Sequence, residues 1–295
     1  MNITAHTKLT GLFGHPAGHS LSPVFMNALF EKAGIDSRYF AFDVPPSRVG
    51  DAVRSLRALG FAGANVTIPH KRTVFDALDR VSEDAGAIGA VNCIVHTDGV
   101  LEGHNTDHLG FIRPLGERGL LRKIDPALII GCGGAARAVL YALVRNGVRE
   151  VYVSNRTAAH ARSFVEWAEK TAGVHKIHLA GSPASLDETL LLKSRLVVNT
   201  TPVGMHPDID SCPLPAHSRF GEDQTIYDLV YTPERTKLLR LAREAGARAL
   251  GGLDMLVAQG LLSAALWFPG SREKILAQRS LLLLHLRECM HARTP

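Results

Sequence analysis

Two short polar runs carry the residues best suited to chemistry. Lys71 closes Asn65-Val66-Thr67-Ile68-Pro69-His70-Lys71, and Asp107 closes Gly103-His104-Asn105-Thr106-Asp107. A third run, Gly18-His19-Ser20-Leu21-Ser22-Pro23, adds two hydroxyls. Each follows an apolar stretch that reads as a strand, and ligands of open α/β sheets bind beyond the carboxyl ends of strands, so the three loops should converge on one cleft. Hydroxyls, amides, one Lys and one Asp suit a small polyhydroxylated molecule. Oxidising an alcohol needs a group that takes the hydroxyl proton as hydride leaves. A lysine does this only if its affinity for its own proton is lowered or that proton can be passed on, and a neighbouring Asp either orients it or binds the same hydroxyl. The set does not read as a metal site. His15 and His19 are four apart, but Pro16 and Gly18 prevent a helical HxxxH face, and no HExxH or CxxC occurs.

A second constellation begins at Gly131-x-Gly133-x-x-Ala136, between the apolar run Ala127–Ile130 and a helical pattern ending at Asn146-Gly147. This is the context of a dinucleotide fingerprint: Gly131 for a tight turn, Gly133 for backbone approach to a pyrophosphate, Ala136 for close helix–strand packing. The helix N-terminus adds free N–H groups and a positive dipole end. The next strand, Val151–Ser154, ends in Asn155-Arg156-Thr157 with no acid for a ribose 2′-hydroxyl. An Arg there clamps a 2′-phosphate and favours NADP over NAD. Its plainer role is a solvated Arg opening a helix.

Positioning these groups takes an alternation of short strands and helices, the pattern of parallel sheets with crossover helices. Strands are expected at 9–13, 39–44, 63–67, 127–130, 150–154, 176–179, 196–199, 225–229 and 248–250. Helices are expected from near Pro23 to Gly34, near Arg48–Leu59, after Pro69, after Gly133 and from about Leu253. Asp98-Gly99 sits between the apolar runs 90–95 and 100–103 and predicts a two-residue hairpin turn. The fold class is α/β with two α/β domains, a catalytic domain over residues 1–108 and a Rossmann-type domain over 109–252.

Composition narrows the function classes. In 295 residues, 46% are apolar and 21% charged, the balance of an ordinary globular protein. The longest apolar run, Leu281–Leu284, is far too short for a membrane span of about 20 residues. Met1–Thr10 lacks an apolar core and a cleavage site, so a cytoplasmic protein with free thiols is expected. The net charge is +5, but Lys and Arg are scattered among acids, which argues for small anions rather than nucleic acid as partners. Nothing in the sequence gives the oligomeric state.

The same loops carry a family resemblance. SLSP at Ser20–Pro23, NVTIPHK at Asn65–Lys71, GAVN at Gly89–Asn92 and NTD at Asn105–Asp107 resemble the shikimate/quinate dehydrogenase family. So do GCGGAARA from Gly131, NRT at Asn155–Thr157, NTTPVGM at Asn199–Met205, DLVYTP at Asp228–Pro233 and GLDMLVAQG at Gly252–Gly260. The resemblance implies reversible hydride transfer between a ring carbinol, that of shikimate, and NADP, without a metal. It implies Lys71 and Asp107 as the catalytic pair. Ser20, Ser22, Asn65, Thr67, Asn92, Tyr231 and Gln259 would hold the carboxylate and ring hydroxyls. Gly131, Gly133, Gly134, Ala135, Asn155, Arg156, Thr157 and Gly252 would bind the cofactor, with Met205 near the nicotinamide. Because the apolar C-terminal segment 253–295 carries Gln259, it is expected to fold back and complete the first domain.

Four positions depart from the family pattern. Met26 stands where SxSPxxHN has His, Cys93 follows GAVN where Thr is common, His108 follows NTD where Gly is frequent, and His160 replaces a second basic residue near the 2′-phosphate. These leave quinate or an amino-substituted shikimate as alternative substrates and NAD as an alternative cofactor. Other two-domain and short-chain dehydrogenases would be expected to use Tyr-x-x-x-Lys, which is absent. A non-catalytic ligand sensor is a reading from a different class, and the intact Lys71/Asp107 pair argues against it.

Overall fold

In a computed structural model, residues 2–171 and 176–291 are described. The first half of the chain runs β1 (Lys8–Gly14), α1 (Ser22–Ala33), β2 (Ser37–Asp43), α2 (Val49–Ala58), β3 (Phe61–Val66), β4 (Arg80–Val81), α3 (Glu83–Ile88), β5 (Cys93–Thr97), β6 (Val100–His104) and α4 (Asp107–Glu117). Next come β7 (Ala127–Ile130), α5 (Gly134–Arg145), β8 (Glu150–Ser154), α6 (Ala158–Thr171), β9 (Lys176–Leu179), α7 (Glu188–Lys193), β10 (Leu196–Asn199), β11 (Thr225–Asp228), α8 (Lys237–Glu244) and β12 (Arg248–Gly251). Three helices finish it: α9 (Leu253–Trp267), α10 (Arg272–Leu276) and α11 (Arg279–His291).

The chain separates into two units. Unit 1 runs through Gly110 and resumes at Val257; unit 2 is Phe111–Leu256. Unit 1 is built on a six-stranded sheet of order β2-β1-β3-β5-β6-β4. Its first three strands are parallel, but β5 lies antiparallel to both β3 and β6, so the sheet is mixed rather than all-parallel. The β5–β6 pairing has a local cause. Asp98 and Gly99 both adopt positive φ (50° and 81°), the turn that reverses a two-residue hairpin. The core on one face gathers Phe13, Val53, Leu56, Phe61, Val66, Val74, Ile94 and Leu101. Helices α10 and α11 pack against α1, so the C-terminal segment does return to the first unit.

One expected element is different. The stretch after Pro69 forms a short 3-10 turn, Thr73–Ala77, instead of an α-helix. Its ends are pinned: the Val91 N–H bonds the Lys71 carbonyl (2.7 Å) and Asp79 is held by Leu101 and Arg57, which leaves no length for further helical turns.

Unit 2 is a six-stranded, fully parallel sheet of order β12-β11-β10-β7-β8-β9. Counted from β7, this is the order 3-2-1-4-5-6 of a doubly wound dinucleotide fold. The buried strand Ala127–Ile130 lies at its centre, apolar on both faces because helices cover both. The strand order reverses between β7 and β10, which is where such folds bind their ligands.

Candidate functional site

In unit 1 the loop after β3 delivers Lys71, the strand β5 is preceded by Asn92, and α4 begins at Asp107. Lys71 Nζ donates to Asp107 Oδ2 at 2.5 Å, with the two side chains only 14% and 6% exposed. Asn92 Nδ2 donates to the other oxygen, Asp107 Oδ1, at 2.8 Å and to Thr106 Oγ1 at 2.9 Å. Gln259 Oε1, from α9, lies 3.2 Å from the same nitrogen. An ion pair this far from water contributes little to net stability, because desolvation offsets much of the attraction. Buried charge of this kind is more often found where it acts on a ligand.

Local folding explains the placement. Asn105 accepts from the Asp107 and His108 N–H groups through Oδ1 and caps α4, so its plain structural role is the one it has. Asn92 lies just before β5. Its carboxamide oxygen takes the Thr106 N–H (2.7 Å) and both its ends are buried. Ser20 and Ser22 sit at the N-terminus of α1, where the Ser22 N–H donates to Ser20 Oγ and the N-cap residue Leu21 offers no side-chain cap. The Val24 and Phe25 N–H groups bond the Leu21 carbonyl and Pro23 has none, so it is the two hydroxyls, rather than the helix N–H groups, that this turn offers to a ligand. Thr67 is half-buried beside the Gly14 backbone. Asn65 is already engaged: its amide donates to the Asn92 carbonyl and Ser263 Oγ, and its oxygen accepts from the Tyr39 hydroxyl. Ser263 and Tyr39 are part of this cluster, and no motif pointed to them; only their proximity does. Tyr231, expected on the substrate side, belongs to unit 2.

The four departures from the family pattern separate on burial. Met26 and Cys93 are fully buried, and burial pushes the Cys93 thiol up to about 12, so it stays neutral. His108 is buried with Nε2 3.7 Å from the Asp84 carboxylate. His160 is exposed on the first turn of α6.

Unit 2 holds the second constellation. Gly131 has φ +106°, and a Cβ there would meet Thr200 Oγ1 at 2.5 Å. Only glycine fits both the turn and the space. Thr200 is tied to the Ile130 carbonyl through its N–H and its hydroxyl, which sets the 199–205 loop, with its half-exposed Met205, beside the fingerprint turn. Gly133 has open space where a side chain would stand, and α5 starts at Gly134, leaving the Gly134, Ala135 and Ala136 N–H groups without helical partners. Asn155 donates to the Thr157 carbonyl, and Arg156 is exposed and makes no ion pair among the described residues. An open glycine turn, unpartnered helix N–H groups and an uncompensated guanidinium fit a dinucleotide with a 2′-phosphate. Gly252 is a packing position: a Cβ there would lie 2.1 Å from the Leu229 carbonyl oxygen. Cys132, in the turn, is raised to about 12 by burial and is no reactive thiolate.

Among the described residues no group of three or more His, Cys, Asp or Glu could hold a metal ion, and no helix is long and apolar enough to cross a membrane.

Comparison with known proteins agrees with this arrangement. Residues 12–94 match the shikimate dehydrogenase substrate binding domain, and residues 121–189 match shikimate / quinate 5-dehydrogenase. The shikimate dehydrogenase (NADP(+)) of Methanopyrus kandleri is 42% identical over 97% of this chain and 99% of its own. Shikimate 5-dehydrogenase from Thermus thermophilus, solved in complex with NADP(H) and shikimate, is 35% identical with a TM-score of 0.78, covering 92% of this chain and 99% of that one. Quinate dehydrogenase from Corynebacterium glutamicum, solved with NAD, is 31% identical with a TM-score of 0.80, covering 92% and 99%. Fold, motif order and full-length similarity coincide, and the chain belongs to the shikimate/quinate dehydrogenase family.

Proposed function

We propose that the protein is an NADP-dependent shikimate dehydrogenase that interconverts shikimate and 3-dehydroshikimate in the cytoplasm. The observation that carries this is the buried Lys71–Asp107 pair, held on its far side by Asn92 beside Gln259. The similarity to NADP(+)-dependent relatives such as the Methanopyrus kandleri enzyme supports the cofactor.

When bound, the nicotinamide supplies the hydride acceptor for oxidation and the donor for reduction. The chain's own residues do the rest. In oxidation the ring C–H and O–H bonds break and C=O forms. Lys71 Nζ, as the free amine, takes the hydroxyl proton while the hydrogen on carbon departs with its electron pair. In reduction the Lys71 ammonium returns that proton to the ketone oxygen. Asp107 Oδ2 fixes the direction of Nζ, and Asn92 fixes Asp107 in turn. Ser20 and Ser22, at the start of α1, receive the ring carboxylate through their hydroxyls. Thr67 and the Gln259 amide take ring hydroxyls, and we place Tyr231 on the substrate as well. In unit 2, Gly131–Ala135 cradle the pyrophosphate, Asn155–Thr157 hold the 2′-phosphoribose with Arg156 as the main charge, and Met205 and Gly252 flank the nicotinamide.

The test is a set of initial rates with shikimate and quinate, each against NADP⁺ and NAD⁺. The highest kcat/KM is expected for shikimate with NADP⁺. Preference for quinate or NAD⁺ would make His108 and His160 specificity changes. Tight ligand binding without turnover on any of the four would replace the enzyme by a sensor.

A further inference from the structure

Behind the Lys71–Asp107 pair runs a buried chain of hydrogen bonds whose donors and acceptors can be counted. Tyr39 OH donates to Asn65 Oδ1 (2.9 Å). The two Asn65 amide hydrogens go to the Asn92 carbonyl (3.1 Å) and Ser263 Oγ (2.8 Å). Ser263 Oγ donates to its own helix at the Gln259 carbonyl (3.1 Å) and lies 3.1 Å from Thr106 Oγ1. With the Ser263 proton committed to the helix, its lone pairs accept from Asn65 and Thr106. Thr106 has two acceptors for its proton, Ser263 Oγ at 3.1 Å and Asn92 Oδ1 at 3.3 Å; the shorter contact draws it to Ser263 and a lone pair turns to Asn92 Nδ2. Asn92 has two amide hydrogens and three acceptors within reach: Thr106 Oγ1 (2.9 Å), Asp107 Oδ1 (2.8 Å) and Gln259 Oε1 (3.2 Å). The orientation of Thr106 weights that contest towards Thr106 and Asp107, the two shorter contacts, with Gln259 the longest. The Cys93 thiol is the remaining group hydrogen-bonded to Ser263, and it is neutral.

We propose that Ser263 is a positioning residue: its hydroxyl sets the donor direction of Thr106 and thereby aims the Asn92 carboxamide at Asp107, which faces Lys71. The residue is fully buried on α9, one helical turn beyond Gln259, and touches none of the reacting atoms named above. Its side-chain path to Asp107 runs through Thr106 and Asn92. The inference rests on the proposed reaction for its kinetic readout but not for its structural one.

The experiment is a double-mutant cycle on the full chain between Ser263→Ala and Thr106→Val, with Tyr39→Phe as a milder break at the far end of the chain. Ser263→Ala is expected to lower kcat for shikimate oxidation by about tenfold while KM changes by less than about threefold. The Ser263→Ala/Thr106→Val double variant should be close to the worse single variant instead of about a hundredfold down, because both act through one path. Effects that multiply, a kcat within about twofold of wild type, or a change confined to KM would each overturn the proposal. Should Ser263→Ala fail to fold, the same non-additivity is read between Tyr39→Phe and Thr106→Val, and multiplying effects there overturn it too. Hydrogen exchange of the Asn92 side-chain amide, followed by NMR on the ligand-free protein, needs no turnover. It should speed up at least about tenfold in Ser263→Ala, and unchanged protection would overturn the proposal. If the wild type turns over no shikimate, the functional reading fails, and amide exchange alone decides the role of Ser263.

Discussion

Truncating Lys71 removes the only amine in the unit 1 cluster and leaves the Asp107 carboxylate buried with Asn92 as its side-chain partner. Lys71→Ala should lower kcat by roughly 10²–10⁴-fold with little change in substrate affinity, the pattern of a group that acts in the transition state. Steady-state kinetics against shikimate check this, and near-normal turnover would remove Lys71 from the mechanism. Arg156 acts on the other ligand. Because its guanidinium has no ion-pair partner in the described residues, Arg156→Ala should weaken NADP⁺ by about tenfold to a hundredfold and leave NAD⁺ nearly unchanged. Equal losses for both cofactors, measured by fluorescence titration, would mean the side chain does not read the 2′-phosphate. At this scale the clustering was legible in the sequence, since Lys71, Asp107 and Asn92 stand out by type and motif. Ser263 and Tyr39 do not. A serine in an apolar helix and a tyrosine in a strand gain a polar role only when folding brings Asn65 between them.

Elements hold these residues through a few tight contacts. Strand β3 passes under α9 at Gly63, where a Cβ would lie 2.2 Å from Trp267 Nε1 and 2.3 Å from the Ile94 carbonyl that this indole bonds. Neither atom can yield without breaking the other's hydrogen bond. Gly63→Ala should therefore destabilise by about 2–4 kcal/mol, more than a usual overpacked site, and a thermal melt within about two degrees of wild type would contradict the close crossing. In unit 2, Asp228 at the end of β11 accepts from Asn199 Nδ2, the Val230 N–H and Thr236 Oγ1, tying two strands to the start of α8. Burial raises its carboxyl from 3.8 to about 6. Between those values the folded protein keeps a proton the unfolded chain has lost, so this group's contribution to stability falls as pH rises from about 4 to about 6 and is flat above. Asp228→Asn removes that titration. Relative to wild type, the variant should gain up to about 3 kcal/mol between pH 4 and pH 7 in urea unfolding, whatever its constant cost. An equal difference at both pH values would refute the shift. In this unit β7 and β10 were legible to the residue, because short apolar runs rich in β-branched and aliphatic side chains, bounded by polar residues, read as fully buried strands. The 3-10 turn 73–77 was not, since its length is set by distant bonds to Leu101 and Val91.

For the whole molecule, most groups assigned to each ligand belong to one unit, Tyr231 excepted, and each ligand should protect chiefly that unit. Hydrogen exchange followed by mass spectrometry should show shikimate slowing exchange around residues 65–71, 105–108 and 257–263. NADP⁺ should slow residues 131–137 and 155–160 and the 199–205 loop. Protection by NADP⁺ that spares the fingerprint turn would reverse the assignment of sites.

The sequence by itself determined the doubly wound second unit, the fingerprint turn with its Arg156, the Asp98-Gly99 hairpin and the polar loops that carry Lys71 and Asp107. These depend on periodicity, turn chemistry and motif, which are local and survive without knowledge of neighbours. Tertiary structure alone decided that β5 would run antiparallel to β3 and that the stretch after Pro69 would stay a 3-10 turn. It also decided that Asn65 would spend its amide on Asn92 and Ser263, and that Asp228 would be buried enough to hold a proton near pH 6. Hydrogen-bond partners and desolvation depend on which residues meet across long separations in the chain, such as 65 with 263, and one-dimensional spacing carries no record of that.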